Sequence, residues 1–209
     1  MADNCPRIKI CGITRKIDAQ FAVSLGVDAL GFIFAPSPRQ ISATKARDII
    51  RSIPPFVAAV GVFVDEDLET VREVACYCGL DWVQLHGRET PGYCSSVGFK
   101  VLKAIRVMDK QSISAMAKYK EVVNGFVLDT YVKGMSGGTG RIFDWKIAGE
   151  AKRFGPIILS GGLTPENVET AIFKVKPYGV DVSSGVESSP GIKDDKKMRL
   201  FVERVRNLA

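Results

Sequence analysis

Histidine is almost missing from this chain: His86 is the one example in 209 residues. A metal centre that needs two or more histidine ligands therefore cannot be built from a single copy. Long apolar runs are missing too. The largest, such as 57–64, fall far short of the roughly 20 apolar residues that a bilayer-crossing helix needs. The start, Met1-Ala2-Asp3-Asn4-Cys5, lacks the charged-then-apolar pattern of an export signal. Cysteine is present five times, an odd number, without a C-x-x-C pair, and mostly inside apolar segments. That usage suits reduced thiols and a cytoplasmic protein. No linker and no shift of composition divides the chain, so 1–209 is expected to form one domain.

Apolar residues make up 46 % and charged residues 25 %, a balance that supports a packed core. The net charge is +6, from 29 Lys and Arg against 23 Asp and Glu. The positive residues are scattered. The densest groups, 193–199 and 204–206, are broken by Asp194, Asp195 and Glu203 on a helical pattern. This describes a solvated helix face, so neither a nucleic-acid nor a membrane partner is expected. Modest positive charge does help to draw in an anionic metabolite.

Short runs rich in Val, Ile and Phe recur along the sequence at 7–11, 29–34, 58–64, 82–85, 100–105, 125–128, 157–159 and 179–182. Their spacing of roughly 20–30 residues is that of a βα unit. They read as almost wholly apolar, as parallel strands covered on both faces should. Helical stripes lie between them. Ser42 caps a stripe of Ala46, Ile49, Ile50 and Ile53 that stops at Pro54-Pro55. Leu68, Val71, Val74, Ala75 and Cys78 form another, closed by Gly79. Thr164-Pro165 reads as a cap and first turn ahead of Val168, Ala171, Ile172 and Val175. Met198, Phe201, Val202, Val205 and Leu208 form the last stripe. Eight such units most simply close into a (β/α)8 barrel. An open doubly wound sheet is the alternative, but it would usually carry a glycine-rich fingerprint where this chain reads Cys11-Gly12-Ile13-Thr14.

A barrel of this kind carries its active site at the C-terminal ends of its strands. Reactive residues gather there: Cys11, Arg39, His86, Asp129, Ser160-Gly161-Gly162 and Ser183-Ser184-Gly185. The last two loops are where this fold commonly binds phosphate. Cys11 is either a small buried hydrophobe or, with Arg7, Lys9 and Arg15 nearby in sequence, a thiolate able to act as a base. Asp129 is either a turn cap or a carboxyl kept at an apolar strand end because it is used. Arg39, on the Pro38-stiffened loop, can clamp a carboxylate through two N–H donors or simply face solvent. His86 is a wall or binding residue. Gly137-Gly138-Thr139-Gly140 could be a mobile lid or an anion nest.

Several segments, in order along nearly the whole chain, resemble the phosphoribosylanthranilate isomerase family. They are Lys9-Ile10-Cys11-Gly12-Ile13-Thr14, Ser37-Pro38-Arg39-Gln40, Val83-Gln84-Leu85-His86-Gly87, Leu128-Asp129-Thr130, Gly137-Gly138-Thr139-Gly140 with Phe143-Asp144-Trp145, Leu159-Ser160-Gly161-Gly162-Leu163 and Asp181-Val182-Ser183-Ser184-Gly185. The resemblance implies an Amadori rearrangement in tryptophan biosynthesis. In it Asp129 is the general acid that opens the ribose ring, and Cys11 is the general base at C2. It further implies that Arg39 holds the anthranilate carboxylate, that amides around Gly161, Gly162, Ser183 and Ser184 hold the phosphate, and that Gln84, His86, Gly138 and Asp181 complete the substrate-binding set. No metal and no organic cofactor is implied, and the protomer could act alone or as a homodimer. Two other readings compete: another sugar-phosphate isomerase or epimerase on the same fold, and a non-catalytic sensor that keeps the phosphate loops.

Overall fold

Eight parallel strands close on themselves in sequence order, each neighbour hydrogen-bonded to the next and β8 returning to β1. This computed structural model describes residues 5–107, 110–129 and 145–208, without the side chains of 110 and 145–147. The strands are β1 (Arg7–Cys11), β2 (Ala29–Ile33), β3 (Ala58–Phe63), β4 (Trp82–Leu85), β5 (Lys100–Arg106), β6 (Gly125–Asp129), β7 (Ile157–Ser160) and β8 (Gly179–Val182). All eight fall where the apolar runs place them, with ends shifted by at most one residue. Helices cover the ring: α1 (Lys16–Ser24), α2 (Ala43–Ile50), α3 (Leu68–Cys78), α4 (Pro91–Ser96), α5 (Lys110–Ser114), α6 (Trp145–Glu150), α7 (Val168–Val175) and α8 (Asp195–Arg206). No described helix is long and apolar enough to cross a membrane.

The helix boundaries follow local chemistry. The side chains of Ser42, Asp67, Thr90 and Asp194 accept backbone N–H groups of the first turns of α2, α3, α4 and α8. Gly79 ends α3 in the left-handed region, at φ 71°. The expected start of α7 needs correction. Residues 165–167 form a turn, and the helix begins at Val168. Asn167 ties this turn down: its Oδ1 accepts Thr164 N–H and its Nδ2 donates to the Gly162 carbonyl. Leu208 also leaves its stripe, lying exposed beyond the end of α8.

The expectation of wholly apolar strands holds for one face of the ring only. Ile8, Ile10, Leu30, Phe63, Val83, Leu85, Phe126 and Leu128 belong to the main core shared with helix residues. A separate small cluster of Val60, Leu102, Ala104 and Val127 belongs to the alternate, inward register. Lys9, Gln84 and Asp181 share that inward register, and all three are buried. A short hairpin, β9 (Glu187–Ser189) with β10 (Ile192–Lys193), follows β8 and had no counterpart in the apolar pattern.

Candidate active site

Strand order sets the layout of the C-terminal mouth. Cys11 ends β1, and Asp129 ends β6, three strands away around the ring by way of β7 and β8. Asp129 stands in register between Arg106 of β5 and Ser160 of β7. Its Oδ2 lies 3.4 Å from His86 Nε2. A cavity of about 390 Å³ lies at the opposite, N-terminal end of the ring, lined by Val60, Trp82, Leu102 and Ile158. Lys9 lines it as well, whereas Cys11, Arg39, Gln84, His86, Asp129, Asp181, Ser183 and Ser184 do not.

The Cys11 thiol is only 6 % exposed. It occupies space that β2 leaves open: a Cβ on Gly31 would lie 2.6 Å from the sulfur. Burial pushes the thiol above its ordinary range, outweighing the downward pull of the Lys9 and Lys193 charges, and Asp181 adds to the rise. Of the three cations close in sequence, only Lys9 acts on the sulfur. Arg7 is paired with Asp28 and Arg15 with Asp18, whereas Lys193 arrives from β10 and donates to the Cys11 carbonyl at 2.6 Å. Burial works against the Lys9 charge, and the charge and hydrogen bond of Asp181 support it.

Arg39 is held by the loop after β2. Ser37 Oγ accepts its N–H, Gln40 Nε2 donates to the Phe34 carbonyl, and Ile41 N–H returns to Ile33. Its aliphatic stem packs over Gly12, where a Cβ would lie 2.8 Å from Arg39 Cδ. The two-pronged grip foreseen for a ligand is taken by the protein itself: Nε and Nη2 both donate to Glu187. Glu187 in turn receives Lys193 Nζ at 2.9 Å, with the Lys193 side chain fully buried. Burial opposes the Glu187 charge, yet the hydrogen bonds and charges of Arg39 and Lys193 hold its carboxyl below the usual range.

Replacing Glu187 with Gln should thus leave a sealed ammonium without a counter-charge, at a cost of about 3 kcal/mol, the low end for breaking a buried pair because Arg39 stays partly solvated. Urea unfolding should show a lower midpoint with an unchanged slope. By the same linkage, the stabilisation from this carboxylate is present above about pH 4.3 and fades as the pH falls through its depressed native value. A midpoint within error of the parent would refute the buttress role.

The two expected phosphate loops touch each other. Gly161 and Gly162 take left-handed φ values of 87° and 68°. Gly185 packs against the β7 loop so closely that a Cβ there would sit 1.9 Å from the Leu163 carbonyl oxygen. Because α7 starts only at Val168, the turn glycines rather than the helix end form this wall. Ser184 is exposed beside it. Ser183 Oγ is buried and has no hydrogen-bond partner among the described residues, and the same is true of Asp181 Oδ1.

Gln84 and Asp181 sit deeper than the other candidates, 1 % and 4 % exposed, and both bond to Lys9 Nζ. Gly138 lies outside the described residues. The sequence offered Lys9 only as a cation near Cys11 and gave no role to Glu187 or Lys193. Lys9 also had a signal of its own place in the wall, a charge set between Ile8 and Ile10.

Comparison with known proteins agrees with this geometry. The family model for N-(5'phosphoribosyl)anthranilate (PRA) isomerase matches residues 8–204. The N-(5'-phosphoribosyl)anthranilate isomerase of Geotalea uraniireducens is 52 % identical over 203 residues, covering 97 % of this chain and 99 % of the relative. The crystal structure of the Thermotoga maritima phosphoribosyl anthranilate isomerase superposes with a TM-score of 0.90 at 43 % identity, covering 97 % of this chain and 99 % of that one. A phosphoribosyl anthranilate isomerase crystallised with reduced 1-(o-carboxyphenylamino)-1-deoxyribulose 5-phosphate superposes at 0.87 with 41 % identity, over 97 % of this chain and 99 % of that one. With a closed eightfold ring, an acid and a thiol at its mouth and a family match across nearly its full length, this chain belongs to the N-(5'-phosphoribosyl)anthranilate isomerase family.

Proposed function

We propose that the chain converts N-(5'-phosphoribosyl)anthranilate into 1-(2-carboxyphenylamino)-1-deoxyribulose 5-phosphate, with Asp129 as acid and Cys11 as base. One observation carries the assignment: a carboxyl and a thiol end two strands on the same face of the ring, with Arg39 folded over Gly12 beside the thiol. Asp129 gives a proton to the ribose ring oxygen, and the C–O bond opens to a Schiff base. Cys11 then takes the C2 proton, which leaves an enolamine. Ketonisation puts a proton on C1 and removes the C2 hydroxyl proton, so product and substrate hold the same atoms and both residues regain their starting states. Gly161, Gly162, Ser183 and Ser184 line the place for the phosphate, and Gly138 extends the substrate-binding set beyond the described residues. Glu187 occupies Nε and Nη2 of Arg39, so the anthranilate carboxylate would be met through Nη1. The chemistry calls for no metal and no organic cofactor.

A single barrel domain over 1–209 is supported by the pairing of β1 with β8. A cytoplasmic setting is supported by Cys5, Cys11, Cys76, Cys78 and Cys94, all of them free thiols. Two cations of the basic C-terminal helix are paired within the fold, Arg204 with Glu169 and Arg206 with Asp28. A nucleic-acid partner is accordingly left out of this reading.

The test is the loss of anthranilate-type fluorescence when the purified chain meets its substrate. Turnover of the phosphoribosylated amine is expected, and turnover only of other sugar phosphates would overturn the assignment. In the same assay Arg39→Met should raise KM about 10- to 100-fold, the worth of a hydrogen bond to a charged group. An unchanged KM would remove Arg39 from the binding set.

A further inference from the structure

Beneath the mouth, a line of contacts joins the neighbourhood of the thiol to the carboxyl. Lys9 Nζ donates to Asp181 Oδ2 at 2.9 Å and to Gln84 Oε1 at 3.0 Å. Gln84 Nε2 lies 3.3 Å from His86 Nδ1, and His86 Nε2 lies 3.4 Å from Asp129 Oδ2. The direction of the two hydrogen bonds made by Gln84 is forced. An ammonium only donates, so it must face the oxygen of the Gln84 amide. The amide nitrogen is then turned to His86, and it too only donates. Nδ1 must therefore accept, and in a neutral imidazole the proton must sit on Nε2, facing Asp129. Burial keeps the amide from turning over, because a reversed Gln84 would set N–H against ammonium in a place water does not reach.

We propose that Lys9 and Gln84 are positioning residues that lock His86 in its Nε2–H form and so turn an N–H toward a carboxyl oxygen of Asp129, orienting the group that carries the proton. The structural part concerns the ligand-free protein. Its catalytic meaning rests on the acid role proposed for Asp129. Gln84 thereby acts through His86 rather than by touching substrate.

Because the chain has one histidine, labelling with 15N-histidine gives a single imidazole to read. At about pH 8, where imidazoles are ordinarily neutral, the parent protein should show a protonated Nε2 and a bare Nδ1. In Gln84→Glu the new carboxylate can accept from Nδ1, so the pattern should reverse or become that of imidazolium. The same variant should lose about 10- to 100-fold in kcat with little change in KM, as for a misaligned reacting group. Lys9→Met should give a mixed tautomer. If that variant unfolds because Asp181 is left alone, Lys9→Met with Asp181→Leu removes both charges and repeats the measurement. A bare Nε2 in the parent protein, or an unchanged pattern in a folded Gln84→Glu, overturns the proposal. Since the tautomer is read without substrate, it stands or falls separately from the isomerase assay.

Discussion

Asp129→Asn is expected to lower kcat by about 10²–10⁴-fold, the usual contribution of a positioned acid, while leaving the fold in place. Asn keeps the shape of the side chain and can still accept from His86 Nε2, so the loop geometry should survive. What it lacks is a proton to give to the ring oxygen. The position of Asp129 suits proton delivery, because its side chain is 19 % exposed, at the open end of β6, between Arg106 and Ser160. Because the interaction is made in the transition state, kcat and kcat/KM should fall together, a loss of about 3–5 kcal/mol of barrier lowering. Substrate affinity, measured by quenching of the anthranilate fluorescence, should hardly move. Near-full turnover would show that another group opens the ring.

Cys11→Ser should be nearly as damaging, although it changes a single atom. A serine hydroxyl does not ionise in the range where a thiol can, so the base is removed and its volume kept. The environment adds a second, sharper expectation. Burial holds the thiol protonated beyond its ordinary range of about 8.5. The proposed base must be a thiolate while the proposed acid, Asp129, must still carry its proton. A carboxyl ordinarily ionises well below a thiol, so the two requirements offset each other between those ranges. The kcat/KM of the parent should therefore stay level through neutral pH and turn down only in the alkaline range of the raised thiol. Cys11→Ser should lose most of the activity across the whole range. A downturn already at pH 7–8 in the parent would mean that the sulfur is not held protonated there.

The sequence shows the ring plainly and the interior poorly, for a physical reason. Strands that pack helices on their outer face must carry apolar residues there, and runs such as Ala58–Phe63 and Gly179–Val182 stand out at once. The residues at the strand ends are legible for the same reason: polar groups that stop an apolar run have a restricted set of uses. The inner face was harder to see. Arg7–Cys11, Trp82–Leu85 and Gly179–Val182 each point one polar residue inward, Lys9, Gln84 and Asp181, and an isolated polar side chain in such a run looks like noise until the three meet. Partners far apart in sequence left no trace at all. Arg39 and Glu187 are 148 positions apart, and nothing near either predicts the other. The start of α7 was misjudged because Thr164 does cap a turn, its Oγ1 accepting Glu166 N–H, but the side-chain bonds of Asn167 hold 165–167 out of the helix.

The void beside Gly31 has a consequence for any redesign of this protein. Sulfur from the first strand lodges in volume belonging to the second, so positions 11 and 31 divide one small room between them. Enlarging the tenant on either side evicts the other. An engineer who wants a bulkier reactive group at the end of the first strand can seat it without touching its neighbour only by tipping it up toward the opening, and a lone methyl placed at 31 would disarm the enzyme with the pocket rim intact.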